Sequence, residues 1–232
     1  MRAFALFVMA AAALAAQPNR LTDAERRDGW RLLFDGQTTT GWEEITGKPF
    51  PTNCWTIEDS SLKALPSKGG FQDIRTAGTF RDFELEFDWK LVHGGNSGVK
   101  YRIQKIDEWN NAAGRQARAR GFEYQVADAA NDDVGSDPRR TTASLYSLIA
   151  PAPAAVPRIG EFNHSRIVVR GTHIEHWLNG VEAVEFDTGL PEVVKLMRTY
   201  RPQGEFTSES PISLQNHGTD AWFRNIKIRV LP

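Results

Sequence analysis

Residues 83–104 alternate, stop and alternate again. In FELEFDWKL, Phe83, Leu85, Phe87, Trp89 and Leu91 share one side, while Glu84, Glu86, Asp88 and Lys90 share the other. That period of two belongs to a strand with one face in a core and one in solvent. The run breaks at HGGNSG, residues 93–98, and resumes with Val99, Tyr101 and Ile103 opposite Lys100, Arg102 and Gln104. The same period recurs in GFEYQVAD, RIVVRG, THIEHWL, VEAVEFD, PISLQNH and AWFRNIKIRVL, each of ordinary strand length. Asn179-Gly180, between THIEHWL and VEAVEFD, predicts a two-residue hairpin, because both residues tolerate positive φ. Gly218-Thr219-Asp220 reads as a second hairpin loop.

One short helix is legible near the start. Thr22 and Glu25 have capping-box spacing, and Gly29 ends the helix. No βαβ rhythm and no internal repeat follow. The Pro- and Ala-rich stretch 150–160 reads as a loop inside one domain, because the strands after it could not bury a good core alone. The expected fold class is all-β: an antiparallel β-sandwich or jelly roll with one short N-terminal helix, a single domain over residues 17–232.

Residues 1–16, MRAFALFVMAAAALAA, have the form of a signal peptide. Arg2 supplies the positive end, Ala3 to Leu14 the apolar run, and Ala13-Leu14-Ala15 a small-x-small cleavage site. The run is shorter than the roughly 20 apolar residues of a membrane span. The expectation is export to the periplasm or beyond, with no stable membrane insertion after cleavage. A net charge of −1 argues against nucleic acid or an anionic membrane as partner. Cys54 is the only cysteine, so no intrachain disulfide is possible, and it reads as a small buried apolar residue. Arg115, Arg118 and Arg120 in GRQARARG read as a solvated loop.

Chemistry is to be sought on the polar faces of the strands. Glu123 and Gln125 share one such face, Ser213, Gln215 and His217 a second, and Lys100, Arg102 and Gln104 a third. If these strands are neighbours turned the same way, they make a concave platform of a carboxylate, amides, an imidazole and cations. Such a platform suits a polyhydroxylated ligand. Glu84, Glu86 and Asp88 mimic the carboxylate strand of some glucanases, but alternation alone often produces such a triplet. His173 and His176 fall on opposite faces of a strand, which argues against a shared metal. No zinc spacing, nucleophile elbow, phosphate loop or dinucleotide fingerprint occurs.

Six segments, LLFDGQTTTGW, DFELEFDWKLVHGGNSGVKYRI, GFEYQVAD, SLYSLIAP, EFNHSRIVVRGTHIEHWLNG and ISLQNHGTDAWFRNIKIR, follow one another as in the 3-keto-disaccharide hydrolase domain family. The chain resembles that family over about residues 28–231. Asp35 stands where the family often has Asn, and Phe162 where it often has Trp. The resemblance implies a concanavalin A-like lectin/glucanase jelly roll, export from a bacterial cell, and an oxidised sugar or glycoside as partner. It puts GGNSG at the mouth of a binding cleft, where glycines let backbone approach a ligand and Asn96 and Ser97 supply polar contacts. A plain hairpin turn is the structural alternative for that stretch.

A 3-keto glycoside can be opened without paired carboxylates. The ketone acidifies the hydrogen on C2, a base removes it, and cations hold the enolate. The C1 substituent then leaves, and water can add back. On this reading the catalytic candidates are Glu123 and His217 as base or acid and Arg102 at the oxyanion. Asn96, Ser97, Lys100, Gln125 and Gln215 are substrate-binding candidates, Lys100 also serving the oxyanion. No cofactor is evident and no ligand cluster demands a metal, although a divalent cation could share the charge stabilisation. Two other classes stay open: a non-catalytic lectin-like module, and an ordinary two-carboxylate glycosidase using Glu84, Glu86 or Glu123.

Overall fold

The computed structural model describes residues 17–66, 71–112, 114–154 and 156–232. The expected signal segment, residues 1–16, lies outside the described residues. In chain order the strands are β1 (Arg31–Leu32), β2 (Trp42–Glu44), β3 (Trp55–Glu58), β4 (Ser61–Ala64), β5 (Ile74–Thr76), β6 (Phe83–Leu91), β7 (Asn96–Asn111), β8 (Gly114–Ala127), β9 (Asn163–Arg170), β10 (His173–Leu178), β11 (Val181–Asp187), β12 (Ser213–Leu214) and β13 (Ala221–Val230). They form two antiparallel sheets. The larger runs β11-β10-β9-β6-β13-β4-β3, with β1 also paired to β13, and the smaller runs β2-β5-β12-β7-β8. This is the two-sheet antiparallel sandwich that the alternation predicts.

The inner faces carry the apolar halves of the alternating strands. Phe83, Leu85, Phe87, Trp89 and Leu91 of β6 are buried, as are Val99, Tyr101, Phe122, Tyr124 and Val126 of β7 and β8. Aromatic rings bridge the sheets edge to face: Phe87 meets Tyr124 at 5.7 Å and 83°. The polar atoms caught between the sheets find partners. Tyr101 Oη donates to His176 Nε2 at 2.6 Å, and His176 Nδ1 donates to the Ala143 carbonyl at 3.0 Å. Burial pushes the His176 imidazole down to about 4, so it is neutral at pH 7. Cys54 is buried too, and desolvation raises its thiol to about 11, as suits a packing residue.

Several local features differ from the expected ones. Helix α1 (Asp23–Arg27) has the capping box, with Thr22 accepting from the Glu25 amide, and Gly29 follows it at φ 84. A second helix, α2 (Pro191–Tyr200), was not expected. Pro191 opens it, and Val193 and Met197, four residues apart, are its buried positions. Asn179 and Gly180 make the β10–β11 hairpin at φ 49 and 83. Gly218-Thr219-Asp220 is no hairpin, because β12 and β13 lie in different sheets. Residues 92–95 cross between the sheets in the same way, since β6 belongs to the larger and β7 to the smaller. GRQARARG is part of β8, not a loop. Among the described residues no helix is long and apolar enough to cross a membrane.

Candidate functional site

The outer face of the smaller sheet is built rung by rung. Arg75, Ser213, Lys100 and Glu123 are direct partners across β5, β12, β7 and β8. One rung on, Gly98 faces Gln125, and the Gln215 amide donates to the Gly98 carbonyl at 2.9 Å. Strand parity therefore turns Lys100, Glu123, Gln125 and Gln215 to one side. Asn96, Lys100, Arg118, Arg120, Glu123, Gln125, Tyr146, Tyr200, Gln215 and His217 line a single cleft there, with Ala119 and Gly121 in its wall. The space inside it that water-sized groups can occupy is about 130 Å³.

Glycine at position 98 makes room for this arrangement. A Cβ there would stand 2.4 Å from Glu123 Oε1, so its absence makes room for the carboxylate. Gly95 is constrained differently, since a Cβ would meet the Val92 carbonyl at 2.8 Å in the crossing between sheets. The interrupted stretch thus serves both ends: it turns the chain from one sheet to the other, then opens space over the cleft floor.

The electrostatics are those of a crowded, partly desolvated site. Lys100 is buried, with Nζ 3.3 Å from Asp73 Oδ2 and 3.7 Å from Glu123 Oε2. It also donates to the Ala119 carbonyl at 3.3 Å. Desolvation raises the Glu123 carboxyl, partly offset by Lys100 and reinforced by Asp73. Desolvation and then Arg118 hold the His217 imidazole below its usual value, against the pull of Asp133, whose Oδ2 is 3.5 Å from Nε2. Tyr200, from α2, is raised by desolvation and by the Glu123 charge. The Gln215 amide oxygen, turned to face the cations, accepts from Lys100 Nζ at 3.1 Å and Arg118 Nη1 at 3.3 Å. Among the described residues no three His, Cys, Asp or Glu side chains converge as a metal-ligand set.

Six of the eight residues singled out by sequence meet here: Asn96, Lys100, Glu123, Gln125, Gln215 and His217. Arg102 does not. Between Tyr101–Phe122 and Lys105–Arg120 the β7–β8 register shifts, so residues 102–104 stand opposite Gly121 alone. A bulge breaks parity, and Arg102 sits in it at φ 48. Its guanidinium leaves the platform, donating to the Gly171 carbonyl at 2.6 Å and lying 3.8 Å from Asp82. Ser97 has the parity of Val99 and points inward. It is fully buried, and its hydroxyl donates to the Gln215 carbonyl at 2.7 Å, which fixes the floor instead of meeting a ligand.

Four lining residues escaped the sequence reading. Arg118 and Arg120 alternate with Ala117 and Ala119, which pack on Ile45 and Ile103 in a small second core. That alternation is a strand signal hidden by its small residues. Tyr146 and Tyr200 come from a loop and from the unexpected helix, and nothing local marks them. The glycosidase triplet lies elsewhere, on the outer face of the larger sheet. There Glu84 pairs with Arg166 and Arg229, Glu86 with Lys227, and Asp88 with His164.

A family model described as the 3-keto-alpha-glucoside-1,2-lyase-like domain matches residues 29–229. A 3-keto-disaccharide hydrolase from Bacteroides thetaiotaomicron is 34% identical over 230 residues, covering 88% of this chain and 79% of that protein. Among solved structures, a proposed glycosyl hydrolase from Parabacteroides distasonis aligns with TM-score 0.77 and 26% identity, over 93% of this chain and all of the other. A second from the same organism gives TM-score 0.66 at 25% identity, over 87% and 99%. The lumenal domain of VIP36, at 11% identity and TM-score 0.51 over 89% and 90%, shares the fold alone.

Proposed function

The chain belongs to the 3-keto-alpha-glucoside-1,2-lyase-like family, and on that premise we propose that it cleaves 3-keto glycosides by removing the proton on C2. The carrying observation is Glu123: one half-buried carboxylate, its side chain 13% exposed, with a raised proton affinity and facing a cleft of cations and amides. A carboxylate held in this way is a stronger base than an exposed one at the same pH, provided it is ionised. It takes the C2 proton. The electron pair moves toward the C3 oxygen, and cationic donors in the cleft hold that charge. When the ketone re-forms, the C1–O bond breaks and the leaving group departs with its electrons and a proton. His217 and Tyr200 line the same space and are the groups within the cleft suited to manage that proton. Addition of water at C1 makes the net reaction a hydrolysis.

A paired-carboxylate mechanism has weaker support. It needs two accessible carboxyls about 5–9.5 Å apart, and Glu123 is the one carboxylate among the lining residues. Asp73 shares Lys100 with it but is fully buried. Glu84 and Glu86 are engaged on the other sheet. The form of residues 1–16 supports a further element of the proposal, that the enzyme works in the periplasm or outside the cell.

The test is a pair of substrates. A glucoside oxidised at C3 should be cleaved and its unoxidised parent left nearly untouched, because without the ketone C2 is not acidic. Equal rates on the two would overturn the proposal in favour of a glycosidase.

A further inference from the structure

We propose that Arg118 is the group that receives the negative charge formed at the substrate ketone oxygen, with Gln125 holding a neighbouring sugar hydroxyl. The inference rests on the proposed function and adds to it the residue that carries the oxyanion.

The three cations of the cleft are not equivalent. Lys100 is flanked by Asp73 and Glu123, at 3.3 and 3.7 Å. Arg120 Nε donates to Asp107 at 2.7 Å. Arg118 has no carboxylate partner among the described residues. Its Nη2 donates to the Asn216 carbonyl and its Nη1 to the Gln215 amide oxygen, both at 3.3 Å and both neutral acceptors. Its Nε is buried with no partner at all. Gln125 presents the opposite case. It is 1% exposed, its Nε2 reaches Asn96 Oδ1 at 3.4 Å, and its Oε1 is buried without a donor.

Gln125 Oε1 is the one buried side-chain amide atom left unmet among the described residues. An unmet Nε recurs at Arg102, Arg140, Arg224 and Arg229; what sets Arg118 apart is that it lines the cleft with no carboxylate to neutralise it. One ligand can engage both side chains if it brings an acceptor oxygen to Arg118 and a hydroxyl to Gln125. A 3-keto sugar carries both on adjacent carbons. When Glu123 removes the C2 proton, the C–H electron pair forms the C2=C3 bond and places a negative charge on the C3 oxygen. On collapse the C3=O bond re-forms, a C1=C2 bond forms, and the C1–O bond breaks. The charge at the C3 oxygen exists only along this path. Contact with Arg118 therefore strengthens toward the transition state, whereas the Gln125 contact is the same before and during reaction.

That difference sets the experiment, run on the full-length mature protein with a 3-keto glucoside. Arg118→Gln should lower kcat roughly 100-fold or more with KM changed only a few-fold. Gln125→Leu should raise KM several-fold and leave kcat nearly intact. Arg118→Ala should recover part of its rate when methylguanidinium is added, which loss of structure would not allow. Arg102→Gln, outside the cleft, should turn over like wild type. If wild type cleaves the keto sugar and Arg118→Gln keeps kcat within a few-fold, this inference is overturned and the proposed function stands. If wild type is inert toward the keto sugar, both fall.

Discussion

The outer faces of the two sheets begin from the same sequence pattern and end in different chemistry. Both present acids, bases and amides at every second strand position. On the larger sheet each acid of the β6 triplet meets a base: Glu84 has two arginines, Glu86 has Lys227, and Asp88 has His164 and Arg224. Lys90 lies over the rings of Phe162 and Trp222. On the smaller sheet the same kinds of residue are crowded into a cleft, where charges are desolvated, Glu123 is raised, and Arg118 and Gln125 keep unmet atoms. Residue type does not separate a working face from a solvated one. Enclosure of unneutralised charge does: Arg118 lines the cleft with no carboxylate partner, whereas Arg224 and Arg229 on the larger sheet, whose Nε atoms are equally unmet, pair with Asp88 and Glu84.

The sharpest division between the faces is a like-for-like substitution. Glu123→Gln should lower kcat roughly 10³-fold, within the range for loss of a general base, with the protein still folded by circular dichroism. In wild type the rate should fall on the acid side as Glu123 takes up a proton, at a pH above the ordinary carboxylate range. Burial raises the pKa, and only the ionised form can act as base.

The interior supplies a contrast to both faces, a buried titratable group that holds structure only. His176 has a folded pKa of about 4, below the unfolded value of about 6.5. The unfolded chain therefore binds more protons between these values. Stability should be level above about pH 6.5 and fall by about 3 kcal/mol as pH drops toward 4. Urea titrations across that range would measure it, and a flat profile would deny His176 this role.

Gly98→Ala probes the floor of the cleft. The added Cβ would displace the Glu123 carboxylate, the far end of a flexible side chain, more readily than backbone. Activity should drop by tens of fold, since roughly 1 Å of misplacement can cost up to about 10²-fold. The melting temperature should change little. The smallest effect belongs to Glu86→Gln. Lys227 keeps Glu25 as partner, so stability should move by about 1 kcal/mol or less and kcat not at all.

Much of this layout is legible in the sequence, and the failures have local causes. Parity alone places Lys100, Glu123, Gln125, Gln215 and His217 together, because antiparallel neighbours keep their alternation in step. It misplaces Arg102 because the bulge opposite Gly121 resets the count, and no residue type near position 102 announces a bulge of that length. Ser97 enters the site list through the family resemblance, whereas its parity with Val99 points it inward, where it lies. The periodicity reads GRQARARG as loop because alanines replace the large apolar residues that mark a strand. Tyr146 and Tyr200 reach the cleft through tertiary packing, which periodicity does not encode. Gly218-Thr219-Asp220 has hairpin residues but joins two sheets, because turn chemistry fixes the local bend and not the partner strand.

The central claim is that Glu123 removes the hydrogen on C2. The most direct measurement is turnover of a 3-keto glucoside in D2O, with deuterium at C2 read by NMR in product and recovered substrate, for wild type and Glu123→Gln side by side. Deuterium at C2 with wild type, and its loss with the variant, is the predicted result. Cleavage by wild type that leaves C2 protiated would contradict the account.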